Sequence, residues 1–444
     1  MPETSPFLCA KIAQVPVNKE GQRTSTGNIR TLPAWRFVIG QVALTGTNAL
    51  TGFALVRGLS KEDYAAYSFS FALVAIGVNA SNMGLTSAVL GLGGRVWPDK
   101  EALRSVLNAA QRLRNRIGAF LALPFAAYCI WQFPRIGLGK AETVLLAALV
   151  LSTIWVQMQA NFYAIVLQLG QVVNTLVRND VISAILKLSG SLLALHFEWP
   201  VETIVGWIAC CLWFNYWAHR KAALPLLVEH STAAEEHLRE MRSLVKTNAL
   251  RTLYWSFEGQ ITLLLCAWFS STERLAEVSA LGRLGVLFGI FQAFVASYTL
   301  PNIAKAHTSR RILHQVLRTL KIAGALLAPL LLWAAVHPPS LIWILGPNYT
   351  ELTPHLLPFM LSSAIGQLAA VVYQMCTARA WLSLNRYYVP LVLPLQIALI
   401  CALDTRRIEH VILFAGLNNL FFLLFNLTMF IISWRNAAKL ASAE

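Results

Sequence analysis

The stretch LVRGLSKEDYAAYSFSFALVAIGVNASNMGLTSAVL, Leu55 to Leu90, decides how the chain is read. Arg57, Lys61, Glu62 and Asp63 fall within seven residues, between two long apolar runs. A segment that crosses lipid must satisfy its backbone N–H and C=O groups internally, and a helix needs about 20 apolar residues to span the hydrocarbon. The stretch therefore reads as the turn of a helical hairpin, its charges held at a water boundary.

The same pattern recurs from Phe37 to the C-terminus. The chain has 444 residues, 56% of them hydrophobic and 13% charged, and a mean hydropathy of +0.56, well above the soluble range. No run alternates polar and apolar residues as a transmembrane barrel requires, so the fold class is all-α integral membrane. Residues 1–33 are polar, contain Pro2, Pro6, Pro16 and Pro33, and lack an apolar core. They read as a cytoplasmic disordered extension with no signal peptide, and insertion is expected to start with the first helix. The seven cysteines show no CxxC spacing and the nine histidines no HExxH, so no metal site is expected.

Apolar runs between polar breaks give spans near 34–56, 64–90, 113–134, 141–167, 176–196, 200–218, 249–270, 278–304, 318–336, 353–378, 387–404 and 411–434. Of the 36 Lys and Arg residues, 27 fall on the N-terminal side of this layout, 7 on the other, and Lys187 and Arg283 inside spans. By the positive-inside rule both termini face the cytoplasm, and Arg57 to Asp63 face outward. This bias accounts for the net charge of +15 without any nucleic-acid partner.

The layout divides into an N-lobe, 34–218, a charged cytoplasmic linker helix, 219–248, a C-lobe, 249–434, and a cytoplasmic tail, 435–444. Glu62 and Glu273 recur in equivalent turns, and Arg178 and Arg386 in equivalent loops. Six spans per half make a parallel repeat, two six-helix bundles related by pseudo-two-fold symmetry around a central cavity, which is the architecture of an alternating-access transporter.

Ionisable groups inside a membrane cost roughly 2.5 kcal/mol or more at the bilayer centre and mark candidate sites. Arg251, Tyr254, Glu258 and Thr262 recur along one face of span 7, and Arg283 lies early in span 8. A carboxylate in a low-dielectric cavity holds its proton more tightly, so Glu258 reads as a carrier of a coupling proton or a partner of a cation, or else as a salt bridge to Arg251. Arg283 reads as an anion contact facing the cavity, against snorkelling to the interface. Lys187 lies mid-span beyond Asp180, placed either to bind an anion such as pyrophosphate or to pair with Asp180 or Glu258. Gln41, Thr45 and Asn48 share one helical face, Asn79, Asn82 and Thr86 a second, and Ser363, Gln367, Gln374 and Thr377 a third. Such stripes line a wet cavity or hydrogen-bond helices together.

The opening stretch resembles the first hairpin of bacterial oligosaccharide flippases, the Wzx-type polysaccharide transporters of the MOP superfamily. In that family a Leu-Gly-Pro-Glu-Asp-Tyr-Gly turn precedes a Gly-Leu pair; here Glu62, Asp63 and Tyr64 match the turn and Gly84-Leu85 the pair. Ser60-Lys61 replaces Gly-Pro, and Ala65 the final Gly. Glu258 in FEGQITLLL, Pro301 in SYTLPNIAKA, and Gly346-Pro347 with Tyr349 in IWILGPNYTEL match further motifs in order over residues 34–434. The resemblance implies the bacterial inner membrane and a substrate of undecaprenyl-pyrophosphate-linked oligosaccharide. It also implies a cation-lined cavity, coupling to H+ or Na+ with no other cofactor, and a glycan polymerase and chain-length regulator as partners. Arg283, Lys187, Arg251, Tyr254, Asn48, Asn82, Gln367 and Gln374 are the expected substrate-binding residues, with Glu258 and Asp180 coupling the ion. A multidrug, organic-cation antiporter of the MATE type shares this layout but is expected to use carboxylates. A membrane glycan polymerase or ligase is expected to show a large outer loop with catalytic groups, and the outer loops here are short.

Overall fold

The computed structural model describes residues 34–228, 235–288, 309–379 and 381–443, which contain fifteen α-helices. They are α1 Ala34–Gly58, α2 Lys61–Asn82, α3 Leu85–Val96, α4 Lys100–Gln132, α5 Lys140–Leu169, α6 Val173–His196, α7 Val201–Ala223 and α8 Glu235–Glu258. They continue as α9 Ile261–Phe269, α10 Thr272–Leu284, α11 Ser309–Val336, α12 Pro338–Leu345, α13 Thr353–Ala378, α14 Tyr388–Ala402 and α15 Ile408–Ala443. Eight of the described helices are long and apolar enough to cross a membrane, and the described residues contain no strand.

Local chemistry explains where the hairpin turns. The Ser60 hydroxyl oxygen accepts from the Asp63 amide at 3.0 Å and so caps α2, while Glu62 and Asp63 occupy the positive end of the helix dipole. The equivalent turn repeats the device: Ser271 accepts from the Arg274 amide at 3.3 Å, with Glu273 in the first turn of α10. The charged knot is therefore a helix start, and α2 begins at Lys61 rather than at residue 64.

Several boundaries differ from the sequence expectation, among them the starts of α4 at Lys100 and α11 at Ser309. Span 2 ends at Asn82, because Met83 and Gly84 take positive φ and Asn82 turns its side chain to cap α3, accepting from the Thr86 amide at 2.9 Å and hydroxyl at 2.8 Å. The linker and the start of span 7 form one helix, α8, since nothing in EEHLREMRSLVKTNALRTLYWSFE breaks the backbone. The interruption falls instead at Gly259-Gln260, so Thr262 belongs to α9 and does not continue the Tyr254–Glu258 face. Residues 435–443 extend α15 rather than forming a separate tail.

Helices α1, α6, α7, α5 and α2 pack in succession, and α11 to α15 pack around the α13–α15 pair. Helix α8 lies against α2, α3 and α4, where Leu238, Met241 and Val245 join Leu85, Leu103 and Leu107 in a buried cluster. Across the two groups, α10 packs on α2, and α12 touches α1.

Gly190 shows how tightly α6 and α7 are joined. A Cβ there would overlap the Trp207 indole, whose Nε1 donates to the Leu186 carbonyl at 2.8 Å. Gly190→Leu should force the helices apart at a cost of about 1–3 kcal/mol, lowering the unfolding temperature in detergent, while Gly94→Leu, in open space, should leave it near wild type.

Candidate functional site

The two equivalent turns meet. Lys61 Nζ lies 2.8 Å from Glu273 Oε1 and 3.4 Å from Glu277 Oε1, and also pairs with Glu351. Arg274 holds the second oxygen of Glu277 at 2.6 Å, and Glu277 is only 1% exposed. Two cations thus face three carboxylates whose oxygens lie within 4.8 Å of one another. Beside them Arg57 donates to the Trp343 carbonyl at 3.0 Å and covers its ring at 4.4 Å. That approach requires Gly346, which has φ +105° and would bring any Cβ to 3.0 Å from Arg57. The Tyr64 and Tyr349 rings close the layer edge to face, centroids 6.4 Å apart.

Beneath this layer is a cavity of about 270 Å³ lined by Leu44, Thr45, Asn48, Ala49, Arg283 and Val286. Arg283 Nε donates to the Tyr64 hydroxyl at 3.0 Å, and its guanidinium lies 5.7 Å from the Tyr67 ring. Lys187 Nζ donates to Asn48 Oδ1 at 3.4 Å. Of the residues singled out from sequence, Arg283 and Asn48 thus line the same cavity, and Lys187 reaches Asn48. Lys187 pairs with neither Asp180 nor Glu258. Asp180 accepts from Asn215 Nδ2 at 3.0 Å and lies 3.4 Å from His219 Nε2, contacts that tie α6 to α7.

Glu258 and Tyr254 form a second group. Glu258 is the last residue of α8, at the broken point, and its Oε1 accepts from the Tyr388 hydroxyl at 2.6 Å. Gln396 Nε2 donates to the Tyr254 hydroxyl at 3.0 Å and to Asn418 Oδ1 at 2.9 Å. Trp255 stacks on Tyr388 at 5.2 Å and 5°, and Phe422 packs against both. A carboxylate at a helix C-terminus, beside an aromatic cluster, is an arrangement that attracts a cation.

Asn82 is committed to capping α3, which sets it apart from both groups. Gln367 and Gln374 are half-buried on α13. The Arg251 side chain and Pro301 lie outside the described residues. Sequence reasoning missed Tyr388, Gln396 and Asn418, three isolated polar groups in apolar runs whose only signal was their cost in lipid. It also counted Arg114 as a boundary charge, whereas the structure buries it to 2% exposure, donating to Gln159 Oε1 at 2.6 Å and to the Met158 carbonyl.

Comparison of the whole fold finds the same helical architecture in several solved membrane transporters. It superposes on an inward-facing multidrug resistance MATE family transporter with a TM-score of 0.73 at 13% identity, covering 92% of this chain and 98% of that one. On the lipid II flippase MurJ in an inward closed conformation the TM-score is 0.70 at 12% identity, covering 91% and 90%. An outward-facing MATE family transporter gives 0.60 at 14% identity, covering 91% and 94%. No protein-family model and no curated protein matches the chain.

The ion layer predicts a measurable gate. Lys61→Gln removes the ammonium that three carboxylates share, and a membrane-impermeant maleimide applied from that face should then label Thr45→Cys in the cavity roughly tenfold faster. Unchanged labelling would show that the layer does not hold the cavity shut.

Proposed function

We propose that the protein is a flippase that carries the head group of an undecaprenyl-pyrophosphate-linked oligosaccharide across the bacterial inner membrane by alternating access, both termini in the cytoplasm. The observation that carries this reading is a cavity lined by Arg283 and Asn48, with the Lys187 ammonium donating to the Asn48 side chain. A pyrophosphate is a multiply charged anion, and a guanidinium fork with an ammonium beside it supplies charge-assisted hydrogen bonds to several of its oxygens. The hydroxyl and amide of Thr45 and Asn48 offer partners to sugar hydroxyls. The hydrocarbon tail stays in the bilayer.

The break at Glu258 supports coupling to a cation. Carbonyl groups at an interrupted helix C-terminus and a nearby carboxylate suit H+ or Na+, and the two groups of polar residues give substrate anion and coupling cation separate seats. A glycan polymerase and a chain-length regulator are the partners this reading implies outside the cavity.

A second reading has its own observation. Glu258, bonded to Tyr388 of the ring cluster of Trp255, Tyr254, Tyr388 and Phe422, is a setting that would also bind an organic cation, as a multidrug antiporter requires. The flippase reading is preferred because, among the described residues, the cavity beneath the ion layer is lined by Arg283 and by no carboxylate.

The experiment is to delete the gene in cells making the glycan, restore wild type, Arg283→Ala or Glu258→Gln, and quantify lipid-linked oligosaccharide on each face of the inner membrane. Wild type should clear the cytoplasmic accumulation. Arg283→Ala should leave most of it, and Glu258→Gln should slow clearance and remove its dependence on the ion gradient. Normal crossing in the deletion strain together with heightened sensitivity to cationic drugs would replace the flippase with the antiporter.

A further inference from the structure

A second, larger cavity lies away from the cations. It is a groove of about 420 Å³ between α2, α4 and α5, floored by Gly77 and Ser81 and walled by Asn115 to Phe125 on one side and Leu151 to Met158 on the other. Its lining is overwhelmingly apolar. Along α4 it extends ten residues, about 15 Å, which is the depth of one leaflet in a hydrocarbon core about 30 Å thick.

The end of the groove at Asn115 is cationic. Arg112 stands one helical turn before Asn115 and four residues from Arg116, so both arginines lie beside the mouth. Both are exposed, and no carboxylate engages either among the described residues. Arg114 lies between them in sequence and is buried, holding the carbonyl of the groove residue Met158 and covering the Phe162 ring at 4.0 Å. This bond ties α4 to α5 at the groove. An apolar slot of one leaflet's depth, with two uncommitted guanidinium groups at headgroup level, has the charge and dimensions of a single anionic lipid.

We propose that this groove binds one acyl chain of an anionic phospholipid, whose phosphate is held by Arg112 and Arg116. The site is separate from the Arg283 cavity and does not depend on what that cavity carries. It makes the protein's lipid surroundings selective rather than passive.

The test uses the full chain, purified in mixed micelles containing phosphatidylglycerol and phosphatidylcholine with identical acyl chains, with retained lipid counted by native mass spectrometry. Wild type should retain one phosphatidylglycerol in preference to phosphatidylcholine. Arg112→Gln and Arg116→Gln, at exposed positions that leave folding intact, should each lower that preference about fivefold while lipid of either head group is still retained. Ala122→Trp, which fills the groove wall, should abolish retention of both lipids with elution profile and helix content unchanged. Equal retention of the two lipids by wild type, or undiminished retention in Ala122→Trp, overturns the proposal. Displacement of phosphatidylglycerol by a polyprenyl phosphate at lower concentration than by added phosphatidylglycerol overturns it as well, and reassigns the groove to an isoprenoid chain.

Discussion

The seat of Lys61 is the contact on which the rest of the arrangement depends. An ammonium presents three N–H donors from one point of charge, and here three carboxylates, Glu273, Glu277 and Glu351, converge on it. All three belong to the second half of the chain, while Lys61 starts the second helix of the first. Its withdrawal would leave three like charges close together with only Arg274 to offset them. The layer therefore ties the two halves of the chain together at this end, with Glu277 as its buried member.

That layer also reaches the cavity through one side chain. Tyr64 lies in the first turn of α2, three residues after Lys61, and its hydroxyl accepts from Arg283. Arg283 shares α10 with Glu273, Arg274 and Glu277. The same short helix thus bears the acids that close one end and the cation that faces the space beneath. Glu258 stands apart, on a different helix beside its own aromatic cluster.

Much of the fold was legible because lipid imposes a simple rule on sequence: apolar length separates spans, and charge marks their ends. The span expected at 353–378 is α13 to the residue, and the start expected at residue 387 for span 11 falls one residue before α14. The misplaced boundaries have local causes. Met83-Gly84 breaks a run that hydropathy treats as continuous, and α8 passes unbroken through a change from charged to apolar composition. In the site, the juxtaposition of Arg283, Lys187 and Asn48 follows from each being costly in lipid. The partners did not follow, since Tyr64 meets Arg283, and Tyr388 meets Glu258, from segments distant in sequence. Asn82 was misread because an amide near a helix end serves a cap as readily as a cavity.

Arg114 constrains how the chain enters the membrane. A guanidinium buried away from water is costly unless it is paired, and the partners that this one engages are not on α4. The groups that accept its hydrogen bonds, Gln159 and the Met158 carbonyl, and the Phe162 ring beneath it all belong to α5. During synthesis α4 emerges first, so Arg114 waits at the membrane edge until the helix made next supplies its seat. The packing of α4 is thus completed only by α5, a hairpin whose first half is finished by its second.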